Sequence, residues 1–312
     1  MKITIIIVTF NSSQFIEVCL QSILRQTHGM DYELIVVDNA SHDKTCVLIE
    51  EKFPEALLVR NPSNEGFAKA NNLALQRARG DFILLINPDT EWKKGELREA
   101  IQFLIDHSEI EALGCRLMLE DGSWQKSHGN FPTLIREIKE VFYLPRVFPN
   151  SQQMRGVFAY QDNKEPMPVD WISGTFFLFR KEMLTEVGSF DEHYFLYYED
   201  IDLSKRIREK GKEIYYYPEI EIIHFQRLGS VIDYGESPYI YYHKFFGFNF
   251  AEILRYILLL KSFLRIWFFL SLSFFSKRTV FREKLRSNTN TFKYHLVEAP
   301  RVLRSLKVGS KT

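Results

Sequence analysis

Cysteine is scarce in this chain of 312 residues: three in all, Cys19, Cys46 and Cys115. An odd count without a Cys-x-x-Cys pair offers no disulfide framework and points to a reduced, cytosolic chain. Glycine is missing from the first turn after the first apolar run, Thr9-Phe10-Asn11-Ser12-Ser13. A dinucleotide fingerprint needs glycines there and a phosphate loop needs Gly-Lys-Ser/Thr, so an NAD-dependent dehydrogenase and a P-loop kinase are poor fits. Internal repeats and low-complexity segments are also absent. The opening apolar run lasts about six residues before polar Thr9, and no small-residue cleavage site follows. A buried first strand explains it better than a signal peptide.

Net charge is zero, with 40 Lys/Arg against 40 Asp/Glu, but it is unevenly spread. From Arg255 onward there are 13 basic and 2 acidic residues, which leaves 27 basic and 38 acidic before that point. A basic tail of this kind implies an anionic partner. Within it, Ile253–Ser276 is about long enough to cross a bilayer, but Arg255, Lys261 and Arg265 interrupt it. A central charge costs about 2.5–3.5 kcal/mol on insertion scales. The longest uncharged stretch, Ile266–Ser276, is too short to span. An interfacial helix or re-entrant hairpin fits better, and Lys277, Arg278, Arg282, Lys284 and Arg286 follow as expected beside anionic headgroups. The expected partner is an anionic membrane surface, with no nucleic acid. The competing readings are a tail packed on its own acidic domain and a helix buried in the core or in an oligomer, a homodimer among them.

Strands are expected at 3–9, 33–37, 56–59 and 82–86, alternating with helices capped by Asn11-Ser12-Ser13, opened by Ser41 and Asp43, and running from Gly66 to Arg79. This alternation predicts an α/β fold with a parallel sheet covered on both faces. Further on, Asp121-Gly122 marks a hairpin turn, the proline-bearing stretch 145–168 reads as a mobile loop, and 175–179 reads as a strand. A helix over 201–210 stops at Gly211, and 213–217 and 220–225 read as two more strands. Ligands bind beyond the carboxyl ends of strands in open α/β sheets. Thr9, Asn11, Asp38, Asn39 and Asp89 all fall at or just past such ends.

Four constellations carry chemistry. Asp38, in Val36-Val37-Asp38-Asn39-Ala40-Ser41, could accept the ring N–H of a pyrimidine or merely cap a helix. Asp89, in Asn87-Pro88-Asp89, suits a divalent cation bridging two phosphates, although such turns are common. Glu199, Asp200 and Asp202 begin a helix, where they favour its dipole. Their mutual repulsion can also raise one pKa toward that of a general base. His224, followed by Gln226-Arg227 and Gly229-Ser230, closes the series.

Order and spacing give these motifs their meaning. The chain resembles the family 2 glycosyltransferases, and among them the bacterial rhamnosyltransferase-like branch, over roughly residues 1–250. The resemblance rests on Ile7-Val8-Thr9-Phe10-Asn11, Val36-Val37-Asp38-Asn39-Ala40-Ser41, Asn64-Glu65-Gly66-Phe67-Ala68-Lys69-Ala70-Asn71-Asn72 and Leu85-Ile86-Asn87-Pro88-Asp89. It continues through Trp171-Ile172-Ser173-Gly174, Phe190-Asp191-Glu192-His193-Tyr194-Phe195, Glu199-Asp200-Ile201-Asp202-Leu203 and His224 with Gly229-Ser230.

The resemblance implies a GT-A fold, a Rossmann-like mixed sheet, over 1–240, and the basic, aromatic stretch beyond it is read as a helical, membrane-associated region over 241–312. It implies transfer, with inversion, of rhamnose or a related hexose from a dTDP- or UDP-linked donor. The receiver is a hydroxyl of a glycan or lipid-linked acceptor, in cell-surface polysaccharide synthesis at the cytoplasmic face of the membrane. Carried over by position, Asp38 contacts the pyrimidine, with Thr9, Asn11, Asn39 and Asn87 on the nucleotide side. Asp89 takes the last place of the family's Asp-x-Asp motif and would hold Mg²⁺ or Mn²⁺ on the diphosphate. Asn87 stands where that motif has its first carboxylate, and His224 becomes an additional ligand or diphosphate contact. Trp171, Ser173 and Gly174 shape the sugar and acceptor site together with Asp202. Asp200 matches the catalytic base, with Glu199 and Asp202 its nearest rivals. Two alternatives are a sugar nucleotidyltransferase, which would want a glycine-rich basic N-terminal loop, and an inactive GT-A scaffold, against which Asp38, Asp89 and Asp200 argue.

Overall fold

A computed structural model describes residues 2–159, 161–225, 235–275 and 279–309. Its strands are β1 (Lys2–Thr9), β2 (Asp31–Asp38), β3 (Leu57–Arg60), β4 (Phe82–Ile86), β5 (Thr90–Lys94) and β6 (Ile110–Met118). They continue with β7 (Trp124–Gln125), β8 (His128–Gly129), β9 (Met167–Pro168), β10 (Trp171–Ile172), β11 (Phe176–Arg180) and β12 (Glu213–His224). The helices are α1 (Ile16–Gln26), α2 (Thr45–Lys52), α3 (Gly66–Leu75), α4 (Leu97–Asp106), α5 (Leu134–Val141) and α6 (Leu144–Val147). After them come α7 (Met183–Val187), α8 (Glu199–Glu209), α9 (Ser237–Phe246), α10 (Phe248–Phe275), α11 (Thr279–Lys293) and α12 (Ala299–Gly309).

The chain forms two compact units, the first from Met1–Phe131 and Phe158–Leu228, the second from Pro132–Val157 and Gly229–Thr312. In the first unit the main sheet runs β3-β2-β1-β4-β11-β6-β12-β5. The expected parallel sheet accounts for its first four strands, since β1 pairs in parallel with β2 and β4, and β2 with β3. Beyond β4 the sheet is mixed: β11 runs antiparallel to β4 and β6, β12 parallel to β6, and β5 antiparallel to β12. Strand periodicity explains the two-sided core. Along β1, Ile3, Ile5 and Ile7 pack with α1 and α4 residues such as Leu20 and Ile101. Ile6 points to the opposite face, among Ala70 and Ala74 of α3 and Leu203 of α8.

Several local expectations are corrected. Helix α1 starts at Ile16, and no side chain of the Asn11-Ser12-Ser13 stretch caps it. Residues 213–224 form one strand, not two, because Tyr217-Pro218-Glu219 is accommodated by a register shift between Tyr217 and Glu221. The stretch read as a loop over 145–168 contains α6, a short 3-10 turn at Gln152–Met154 and β9. The hairpin turn at Asp121-Gly122 stands as expected, joining β6 to β7.

In the second unit, α10 packs on α5, α9, α11 and α12. Among the described residues no helix is long and apolar enough to cross a membrane.

Candidate active site

The parallel half of the sheet brings the carboxyl ends of β1, β2 and β4 to one edge. There the backbone N–H of Asn39 donates to the Thr9 carbonyl at 2.8 Å, so the first two strand ends are stitched together. Asp38 is buried at the end of β2, accepting from the Ser41 hydroxyl at 2.5 Å and the Ser41 backbone N–H at 2.9 Å. Ser41 Oγ in turn accepts from the Asn11 backbone at 2.8 Å, and Asn11 Oδ1 accepts from the His42 backbone at 2.8 Å. Asp38 thus braces both loops, and the Cys46 thiol lies beside its carboxylate. Asn39 reaches the other way and donates to the Gly66 carbonyl at 3.0 Å. The Thr9 hydroxyl is buried and makes no hydrogen bond among the described residues.

Asn11 and Ala40 hold positive φ angles of 49° and 63°, as do Tyr197 and Tyr198 at 67° and 70°. Non-glycine residues held in this region store strain, which collects where loops are shaped for a ligand. Here the four flank Thr9, Asp38 and Asp200.

At the end of β4, the Asn87 backbone donates to the Thr175 carbonyl at 3.1 Å, and Asn87 Nδ2 lies 3.5 Å from the Thr175 hydroxyl. Two residues on, Asp89 Oδ1 is buried, has no hydrogen bond among the described residues, and lies 3.4 Å from His224 Nε2. The Phe225 backbone N–H donates to the Asp89 carbonyl at 2.8 Å, which fixes the end of β12 beside the turn. His224 Nδ1 is 2.9 Å from Gln125 Oε1. With Nδ1 donating to that amide oxygen, the Nε2 lone pair faces Asp89. A buried, unsatisfied carboxylate oxygen opposite an imidazole nitrogen fits a divalent cation. Among the described residues no third His, Cys, Asp or Glu joins them. Most ligands of such an ion would then come from the diphosphate and water, as is usual for Mg²⁺ at phosphate sites.

The carboxylates of α8 separate into three environments. Asp200 Oδ2 accepts the Gly174 backbone N–H at 2.9 Å and Oδ1 that of Ile201 at 2.8 Å. Burial raises its pKa, and these two N–H bonds hold the rise back. Glu199 is buried with Oε2 unpartnered among the described residues, and its pKa is pushed well up by burial and by the adjacent Asp200 charge. Asp202 is fully buried and bonds Arg206 Nε at 2.7 Å. Arg206 also donates to the carbonyl of Ser189 at 2.9 Å, so Asp202 secures the loop that leads into Phe190-Asp191-Glu192.

Gly174 lies between Asp200 and Phe67, where an added Cβ would stand 3.2 Å from the Phe67 ring. The Ser173 hydroxyl pairs with Thr175 at 3.1 Å, which links the Asp200 support to Asn87. Trp171 is buried and donates from Nε1 to the Asn130 carbonyl at 3.0 Å. Gln226, Arg227, Gly229 and Ser230 lie outside the described residues.

Two supporting residues escaped the sequence reading. Gln125 orients His224 across 99 positions of chain, and Thr175 joins Asn87 to Ser173. Thr175 had a usable signal, being adjacent to Ser173-Gly174; Gln125 had none.

The model of glycosyl transferase family 2 matches residues 4–188, more than half of the chain. The chain belongs to glycosyl transferase family 2. This transferase is 28% identical over 234 residues to the N-acetylglucosaminyl-diphospho-decaprenol L-rhamnosyltransferase of Mycobacterium tuberculosis, covering 70% of this chain and 75% of the relative. It is 28% identical over 240 residues to rhamnosyltransferase WbbL of Escherichia coli K12, covering 71% and 82%. Among solved structures it resembles residues 1–349 of Staphylococcus aureus TarS in complex with UDP-GlcNAc, with a TM-score of 0.52 at 17% identity. That match covers 97% of this chain and 83% of the other. It also resembles GalNAc-T7 with UDP, GalNAc and Mn²⁺, with a TM-score of 0.54 at 16% identity over 73% of this chain and 44% of that one. The transferase therefore spans less than half of GalNAc-T7, and at these identities both structures speak for the fold, which is GT-A. The chain is a glycosyltransferase.

Proposed function

We propose that this transferase moves rhamnose or a related hexose, with inversion, from a dTDP- or UDP-linked donor to a hydroxyl of a lipid-linked glycan during cell-surface polysaccharide synthesis. The observation that carries the reading is one sheet edge holding three distinct groups: the Asp38–Ser41–Asn11 brace, the unsatisfied Asp89 carboxylate facing His224, and Asp200 on the Gly174 amide. The two relatives named as rhamnosyltransferases, one of them acting on a diphospho-decaprenol, support the sugar and the lipid-linked acceptor.

In this reading Asp38 and Asn11 receive the pyrimidine nucleoside, and Thr9, Asn39 and Asn87 border it. Asp89 and His224 would hold Mg²⁺ or Mn²⁺, which supplies charge neutralisation for the departing nucleotide diphosphate. Asp200 takes the proton of the acceptor hydroxyl, which is too weak a nucleophile while it keeps that proton. A single displacement then inverts the anomeric carbon without a covalent enzyme intermediate. Asp200 is favoured over its neighbours on position: it is half-buried, whereas Glu199 is buried and Asp202 is buried and committed to Arg206. Ser173 and Gly174 present the base, and Asp202 acts as a positioning residue.

The reading places the enzyme at the cytoplasmic face of the membrane, with its catalytic part over 1–240 and a membrane-associated region over 241–312. The direct test is a screen of sugar nucleotides against membrane lipid extracts, reading released nucleotide. Release with a dTDP- or UDP-sugar that depends on the lipid fraction is expected. Release only with a water-soluble acceptor would remove the lipid-linked acceptor, and turnover with a nucleoside triphosphate and sugar phosphate would favour a nucleotidyltransferase.

A further inference from the structure

Helix α10 carries three basic residues that interrupt its apolar sequence, and each meets a protein group, Arg255 on its own helix and Lys261 and Arg265 on the α5–α6 segment. Arg255 pairs with Glu252 at 3.0 Å, Lys261 lies 4.0 Å from buried Glu137 of α5, and Arg265 lies 5.6 Å over the ring of Tyr143. The outward face is left apolar and rich in aromatics. Ile253, Tyr256, Leu260, Phe263, Trp267 and Leu270 are all exposed at helical spacing, a stripe about 25 Å long. A second exposed apolar group lies on the segment inserted between β8 and β9: Ile135, Ile138 and Phe142 on or just past α5, then Val147 and Phe148 at the end of α6. Phe148 is 51% exposed and Trp267 59%. Since α10 packs on α5 and Arg265 covers Tyr143, the two groups belong to neighbouring elements.

We propose that the α5–α6 segment is a second membrane-docking element, so that the lipid-facing surface is built from two stretches of chain far apart in sequence. The proposal rests on the membrane reading given above and deepens it. Exposed apolar faces of this extent mark interaction sites in soluble proteins. Charge selects the occupant. With 13 basic and 2 acidic residues from Arg255 onward, two copies of this segment would repel one another, whereas an anionic bilayer attracts it. Aromatic side chains suit the headgroup boundary, and the partners that Lys261 and Arg265 find on the α5–α6 segment lower the insertion cost of those two charges.

The test uses the full chain and flotation with vesicles of phosphatidylcholine and phosphatidylglycerol. The double variant Phe142→Ser/Phe148→Ser should weaken vesicle binding about tenfold or more at both low and high salt, because it removes apolar burial. Trp267→Ser/Phe268→Ser should do the same, whereas Arg282→Gln/Arg286→Gln should weaken binding chiefly at low salt. Melting temperature and nucleotide binding serve as the folding check. Should the phenylalanine variant fail to fold, an environment-sensitive dye on Val147→Cys, in a Cys46→Ser background, replaces it and should shift to the blue on vesicle addition. If Trp267→Ser/Phe268→Ser weakens flotation while Phe142→Ser/Phe148→Ser and the dye do not respond, the α5–α6 proposal is overturned and the membrane reading stands. If the unmodified chain does not float at low salt, the membrane reading itself falls. A dimer dissociated by Phe142→Ser/Phe148→Ser, without flotation, would identify the surface as a contact between copies.

Discussion

Three neighbouring carboxylates on one helix have three fates, and burial with hydrogen bonding decides each. A general base works only without its proton, so transfer should fail as pH falls through the pKa of Asp200. Burial raises that pKa, and the acid limb of the pH–rate profile should therefore lie above the ordinary aspartate value of 3.8. Burial and the adjacent Asp200 charge push the pKa of Glu199 well up. A carboxyl whose folded pKa exceeds its unfolded one contributes stability while protonated and loses it as pH rises through the folded value. Glu199→Gln should accordingly melt higher than the parent on the alkaline side of that pKa and keep transfer; a dead Glu199→Gln with an active Asp200→Asn would move the base by one residue. Asp89→Asn should lower turnover by about a hundredfold or more with the fold intact, since it removes the only carboxylate of the Asn87-Pro88-Asp89 turn, the one proposed to hold the cation. Full activity of that variant in EDTA would sink the cation assignment. Asp38 and Asp89 were legible at this edge because the motif of each follows an apolar strand. The partition among Glu199, Asp200 and Asp202 was not, because it depends on Gly174, 26 positions away, and on Arg206.

Elements whose partners are local in pattern were readable, and those defined by distant pairing were not. Strands β1 and β4 announce themselves as continuous apolar runs, as central parallel strands do. Strand β12 reads as two because a proline-containing interruption resembles a break, and only pairing with β6 carries the strand through it. Helix α3 starts at a glycine for a steric reason. Gly66 has φ of +83°, and a Cβ there would stand 2.4 Å from the Phe195 carbonyl oxygen. That carbonyl also accepts the Phe67 backbone N–H at 2.8 Å, so the start of α3 and the loop before α8 are fixed together. Gly66→Ala should cost about 1–3 kcal/mol of stability from strain and displacement. It should also lower transfer more than nucleotide binding, because the loop it moves leads to Asp200. Thermal melts with paired binding and transfer assays would check this, and an unchanged melting temperature would contradict it.

For the whole molecule, the catalytic chemistry belongs to a mixed sheet whose four parallel strands, and β11 and most of β12 as strands, were foreseeable, whereas the mixed order beyond β4 is a matter of long-range pairing. The helical unit draws on residues 132–157 as well as on the C-terminal region. Nothing in the local composition of 132–157 announces that membership, since its latter part falls in the proline-bearing stretch 145–168 that reads as loop. The central claim is that one edge binds the donor and that Asp200 there deprotonates the acceptor. It is tested most directly by measuring nucleotide binding and sugar transfer side by side for the parent enzyme and Asp200→Asn. Donor affinity within about twofold of the parent and transfer reduced about a hundredfold or more are expected for Asp200→Asn. Transfer at the parental rate by a folded Asp200→Asn protein would contradict that claim.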